Sequence, residues 1–407
     1  MIDVDAALRP FYDRLVSDVG GLDLYDAHTH IGANDPDGFR QTPEELLAWL
    51  APVDARGVVF PMHEPDGYPE ANDTAMAAAA DSDGRLVAFC RVDPRAEPVA
   101  EAARCLDAGA RGIKLHPRAE RFTLSEPTVR DIVALAHERH APVLIHAGRG
   151  IPALGRDTVE LSGEFTDATL ILAHCAISDI AWLWRALPEH PNVLIDTSWW
   201  HPSDLTALFA LAPPGNVVWA SDSPYGQPLP SAVMALRCAL QAGLTPGQVQ
   251  EVAGRQLARV LDGEAPRHAG PPPGAAAARA LDPLVERVIA HLTTTIGRAF
   301  GRTDYAETLD LARLACAVGV DMPNARLFSE VLELLDLFEE NREPPPDGRP
   351  LPLAARFLLM ALFLARTPDV PLPDRPGSPA PTRDGARPGD GVFHGGLSPA
   401  EFPGAER

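Results

Sequence analysis

Between residues 20 and 262, short unbroken apolar runs alternate with longer stretches whose apolar positions recur at helical spacing. The runs lie at 22–28, 57–61, 86–92, 111–116, 142–146, 169–174, 192–196 and 216–222. A helix over 3–20 leads. Between the runs the spacing predicts helices at 42–50, 70–81, 97–108, 126–139, 179–187 and 203–211, a weaker helical stretch before 169, and two more at 231–241 and 246–261. At Thr42, Pro43 and Glu44 the start of one such helix is legible as a capping hydroxyl, a first-turn proline and an acidic residue. Strands that are apolar throughout, without alternation, are buried on both faces, the mark of a parallel sheet covered by helices. Eight of them in about 250 residues predict an α/β fold, a closed (β/α)8 barrel of the TIM type.

The pattern changes after residue 262, so a barrel domain over 1–262 is expected. Residues 263–281, with prolines at 271–273 and a run of alanines, read as a linker. Helical spacing returns at 282–300, 304–318, 324–341 and 351–366. In the first of these Leu284, Val285, Val288, Ile289, Leu292 and Ile296 share a face, which predicts a small all-α region over 282–366. Residues 367–407 are rich in Pro, Gly, Asp and Arg and are expected to stay disordered. Three roles suit the helical part equally: homodimer contacts, a lid over the barrel mouth, or a partner site.

Composition narrows the function. A chain of 407 residues with a formal charge of −21 lacks the basic footprint that nucleic acids require, so a small-molecule substrate is the default. Cys90, Cys105, Cys175, Cys238 and Cys316 are odd in number and form no C-x-x-C, which argues against a disulfide framework or a cysteine zinc site. The acidic opening residues lack the basic and apolar regions of a signal peptide. The most apolar run, Leu353–Ala365, contains Arg356 and is too short to span a bilayer. A cytoplasmic protein with no membrane partner is expected.

The chemistry lies in where polar residues fall. His28 and His30 are two apart on one strand, so both imidazoles can face one point, which is how a strand holds a metal. His116, His146, His174 and Asp222 also stand at the C-terminal ends of predicted strands, the face on which such barrels build their sites. His137, His140, His190, His201, His268, His291 and His394 fall on helices, surfaces or linkers, and His63, after the second strand, suits a substrate loop better than a ligand. Lys114 is the sole lysine of the chain. A buried lysine, unlike arginine, can lose its proton, donate compactly or be carboxylated into a metal ligand, although a narrow strand position that rejects guanidinium explains it equally well. Asp196, Ser198 and Trp199 close the seventh strand and fit either a pocket lining or a packed rim.

Six strings, DAHTHIG (26–32), GIKLHP (112–117), LIHAG (144–148), LILAHC (170–175), LIDTSWW (194–200) and WASDSPYG (219–226), together resemble the amidohydrolase superfamily. Within it they are similar to the amidohydrolase-related branch that includes aminocarboxymuconate-semialdehyde decarboxylase. The resemblance covers residues 20–262. It implies a divalent metal held by His28, His30, His146 and Asp222, with His174 as an outer ligand or a polarising acid and base. GIKLHP belongs to the branch usually drawn with one metal, so one ion is expected, and two only if Lys114 is carboxylated. His116 suits a role in orienting a ligand at least as well as direct coordination.

Imidazoles with a carboxylate suit zinc best and also accept manganese, iron or nickel. A divalent ion brings the pKa of bound water to about 7, Asp222 can take its proton, and His174 can stabilise charge on a carbonyl oxygen. The leading expectation is therefore a metal-dependent hydrolase cleaving an amide, lactone or ester. A non-oxidative decarboxylase is the alternative, and it requires a reader of the substrate carboxylate such as Arg118, Arg121 or Arg149. A catalytically inactive barrel serving as a binding module is the third reading, which the full set of candidate ligands opposes.

Overall fold

The computed structural model describes residues 3–275, 280–341 and 354–374. The expected barrel is present. Its strands are β1 (Tyr25–Ile31), β2 (Arg56–Pro61), β3 (Leu86–Arg91), β4 (Gly112–Leu115), β5 (Val143–Ile145), β6 (Leu170–Leu172), β7 (Val193–Asp196) and β8 (Val217–Val218). Each pairs in parallel with the next, in chain order. The ring is closed by the segment after β8, where Ala27 N–H donates to Trp219 O at 3.1 Å, Asp222 N–H to His28 O at 2.9 Å and His30 N–H to Ser223 O at 2.8 Å.

Alternate strand residues explain the two cores. Ala27, Val58, Phe60, Leu144, Ile171, Leu194 and Val218 fill the barrel interior, and their neighbours Val59, Ile113, Val143, Leu172 and Ile195 pack outward against the helices. Proline marks many of the helix starts, including Pro43–Leu50, Pro69–Ala80, Pro98–Asp107, Pro127–Glu138, Pro202–Leu211 and Pro228–Ala242. A fixed φ and a missing N–H cost nothing in the first turn, so the same residue ends a loop and opens a helix.

Two predicted helices differ in form. The stretch 246–261 is not one α-helix: Pro246–Gln250 and Gln256–Leu261 flank a wider π segment, Glu251–Arg255. There Trp219 N–H donates to Val252 O at 2.8 Å, and Gly254 touches the chain entering β1 so closely that a Cβ would lie 2.1 Å from Asp23 O. The widened turn lets the helix meet both ends of the barrel's closing seam. The predicted helix 179–187 shortens to Ile180–Leu183, followed by a 3₁₀ turn, Leu187–Glu189, that carries Pro188 in its first turn, where a missing N–H costs nothing.

The C-terminal helices are Pro283–Phe300, Ala306–Cys316, Ala325–Glu340 and Ala355–Arg366. Their apolar faces join the same core as the outer face of the barrel. Residues 276–279, within the predicted linker, and 351–353, at the start of the last predicted helix, lie outside the described residues, as do 375–407 of the stretch expected to be disordered. Residues 367–374 run on from the last helix, with Thr367 and Val370 buried. The fully buried Arg237 holds them: its guanidinium donates to Thr367 Oγ1 at 2.9 Å, Thr367 O at 2.9 Å, Val370 O at 3.1 Å and Pro371 O at 3.1 Å. Among the described residues no helix is long and apolar enough to cross a membrane.

A buried charged donor shared among carbonyls predicts that Arg237→Met lowers unfolding free energy by about 3 kcal/mol, at the upper end for bonds to charged groups. Urea denaturation followed by far-UV circular dichroism measures this. A loss under about 0.5 kcal/mol would contradict the role given to Arg237.

Candidate metal centre at the barrel mouth

β1 delivers His28 and His30 to the interior of the mouth, as their spacing requires. The segment after β8 delivers Asp222. Its backbone turns there with a left-handed φ of +61°, and Gly226 N–H donates back to Asp222 O at 2.9 Å. The turn admits only glycine at 226, where a Cβ would lie 2.0 Å from Ser221 O.

Three acceptor atoms meet as a result. His28 Nε2 and His30 Nε2 are 3.1 Å apart, and Asp222 Oδ1 lies 3.2 Å from each. Nitrogen and oxygen ligands sit about 2.0–2.2 Å from zinc, so one ion can touch all three corners of this triangle. Among the described residues it is the group of histidines, cysteines and carboxylates whose ligand atoms lie within 4.8 Å of one another.

Electrostatics favour a cation at that point. Asp196, at the end of β7, accepts the Nδ1 proton of His28 at 2.8 Å, which leaves His28 Nε2 as a bare acceptor. Burial holds His28 and His30 well below the ordinary histidine range, so both rings are neutral at pH 7. Burial, against the opposing pull of Lys114, also pushes the Asp222 carboxyl well above its usual range, a sign that its charged form is costly there and gains from a further positive neighbour. The donor set therefore fits a divalent ion.

Other predicted residues surround the triangle. Lys114, on β4, lies with Nζ 3.2 Å from His28 Nε2 and 4.7 Å from the centre of the Phe60 ring. Burial, with Arg91 alongside, lowers its pKa to about 7. His146 is not part of the triangle. It stacks on His116 with ring centres 3.9 Å apart, while His116 Nδ1 caps the next helical turn by accepting from Ala119 N–H at 3.1 Å.

His174 follows β6 in a left-handed turn, with φ of +56°, +57° and +47° at residues 174–176. Its backbone N–H donates to Asp196 Oδ1 at 2.9 Å, which holds a conformation otherwise costing about 1–3 kcal/mol per residue. Its Nδ1–H donates to Ser198 O at 2.8 Å, so its Nε2 accepts the Nδ1 proton of His146 at 2.9 Å. Both nitrogens of His174 are thus engaged, and in this pair the nitrogen without a hydrogen-bond partner among the described residues is the buried Nε2 of His146. His63 and Arg149 line the wider cavity, with His63 Nδ1 4.0 Å from Glu120 Oε1.

That cavity measures about 1250 Å³ and is also lined by Arg40, Arg91, Arg118 and Arg121. Arg91 was not anticipated. It ends β3 fully buried, with Nη2 bonded to Glu120 Oε1 at 2.6 Å, and a charge closing an otherwise apolar strand was the signal for it. Asp196 carried the same signal on β7, yet its grip on His28 rests on a contact spanning 168 residues.

The amidohydrolase family model matches residues 25–255, more than half of the chain. The chain belongs to the amidohydrolase family. This amidohydrolase is similar in structure to an uncharacterized TIM-barrel protein from Bordetella bronchiseptica (15% identity, TM-score 0.48, covering 60% of this chain and 99% of that one). It is also similar to 5-carboxyvanillate decarboxylase from Sphingomonas paucimobilis (16% identity, TM-score 0.46, 60% and 99%), and to 4-oxalomesaconate hydratase from Rhodopseudomonas palustris (16% identity, TM-score 0.46, 59% and 96%). A comparison with curated proteins gave no match.

Asp196→Asn offers an N–H where an oxygen now accepts, which shifts the His28 proton onto Nε2 and blocks that ligand. Zinc affinity, read by competition with a chelator, should fall by about 10–100-fold, with circular dichroism unchanged. Wild-type affinity in this variant would remove Asp196 from the site.

Proposed function

We propose that this amidohydrolase is a metal-dependent hydrolase that cleaves an amide, lactone or ester bond in a small organic anion. The observation that carries the reading is the triangle formed by His28 Nε2, His30 Nε2 and Asp222 Oδ1, placed at the barrel mouth beneath a cavity lined by several arginines. These three residues would hold the ion, and zinc suits the donor set best. When bound, such an ion polarises a substrate oxygen and makes water acidic enough to ionise near pH 7.

The chain's own groups do the rest. Asp222 Oδ1 points into the triangle, while Oδ2 faces His174 at 4.0 Å and is the oxygen left to take a proton from water and pass it to the leaving group. The His174–His146 pair presents the bare Nε2 of His146 as an acceptor that orients water or a substrate N–H or O–H group. Lys114, compact and with a pKa near 7, offers a donor that can also give up its proton. Arg118, Arg121 and Arg149 bind and orient the anion through forked hydrogen bonds.

The same three arginines favour decarboxylation as the second reading, because a substrate carboxylate is what that reaction requires. One panel separates the two: carboxylate-bearing lactones, esters and amides assayed for hydrolysis, and aromatic and muconate-like acids assayed for carbon dioxide release. Hydrolysis is the expected activity, and release of carbon dioxide alone would replace it with the second reading. Metal analysis should find one ion per chain in the wild type and little in His28→Ala or Asp222→Asn, with activity lost in both. A metal-free but active wild type would overturn both readings.

A further inference from the structure

One wall of the cavity comes from outside the matched family region. Ala355, Arg356 and Leu359 line it, and they belong to helix Ala355–Arg366, well beyond residue 255 where the family match ends. This helix is firmly seated. Phe357 and Phe363 are fully buried, Arg366 Nη2 donates to Ser203 Oγ at 3.1 Å, and Arg237 grips the residues that follow. The position of Arg356 is therefore set by the packing of the helix on the barrel.

Among the described residues Arg356 has no charged partner in contact. Its guanidinium lies over the ring of Trp49, 5.7 Å from the centre, and makes no hydrogen bond or ion pair within 4 Å to any described residue. Asp5 acts on it through space, and Asp5 Oδ1 is itself buried without a hydrogen-bond partner among the described residues. Burial draws the arginine's pKa down to about 10, so it stays protonated at neutral pH. Arg91, by contrast, is tied to Glu120. A partly desolvated cation facing a cavity gains from an anion brought to it, and a guanidinium matches a carboxylate in a forked geometry.

We propose that Arg356 is a specificity-determining residue of this site, receiving a second anionic group at the end of the substrate remote from the reacting bond. The C-terminal helical region then completes the substrate site, and the substrate carries an anionic group at its far end. This rests on the barrel mouth being the reacting centre.

The test uses the full chain loaded with zinc and isothermal titration with α,ω-dicarboxylates from succinate to suberate, each against the monocarboxylate of equal length. In the wild type at least one dicarboxylate should bind about tenfold more tightly than its monocarboxylate, the worth of one charge-assisted contact. Arg356→Gln should abolish that ratio and leave the monocarboxylate Kd unchanged, and Arg356→Lys should retain part of it, with thermal midpoints checking that both variants fold. A wild type without any such preference, or Arg356→Gln with the wild-type ratio, would overturn the proposal. Failure of the metal-centre reading registers separately, as zinc content unchanged in His28→Ala whatever Arg356→Gln does.

Discussion

Three lone-pair-bearing atoms held within 3.2 Å of one another in a buried barrel mouth are a constraint that the surrounding structure must satisfy. Acceptors repel when nothing positive lies between them, and in a low-dielectric site that repulsion is strong. The chain meets the constraint by fixing each donor from behind. Asp196 takes the distal proton of His28, Asp26 Oδ1 accepts the backbone N–H of His28 at 3.1 Å and of Ser221 at 2.9 Å, and Gln41 Nε2 donates to His30 O at 2.8 Å. Strands β1 and β7 and the seam after β8 are locked together by the groups that aim the ligands. Closing the barrel and assembling the site are thus one event.

The same economy appears in the backbone. The left-handed residues at His174 and Asp222 stand where chains leave β6 and β8, and both are held by hydrogen bonds to other strands. Strain of this kind persists only where neighbours over-determine it. The appended helices extend the arrangement: helix Ala355–Arg366 shares the outer core and supplies part of the cavity wall.

Much of the fold could be read along the chain because strands buried on both faces have no polar positions to blur them, and proline marked where helices began. Strand-end residues exposed the site for the same reason, since His28, His30 and Asp222 interrupt apolar runs at the edge where barrels do chemistry. What stayed hidden depended on side-chain direction across long separations. The spacing of His146 from its neighbours carries no hint that its ring stacks on His116 and turns to His174. Asp196 read equally well as pocket or rim, since its partner lies six strands earlier. The π segment at Glu251–Arg255 keeps helical periodicity and differs only in the contacts it makes with Trp219 and Asp23. The cavity role of Arg356 was invisible because it requires a helix far along the chain to return to the barrel mouth.

The most direct test of a single cation shared by these donors is anomalous diffraction at the zinc absorption edge from crystals of zinc-supplemented protein. The account predicts one strong peak about 2.0–2.2 Å from His28 Nε2, His30 Nε2 and an oxygen of Asp222. Zinc bound elsewhere, with no peak among these three residues, would contradict it.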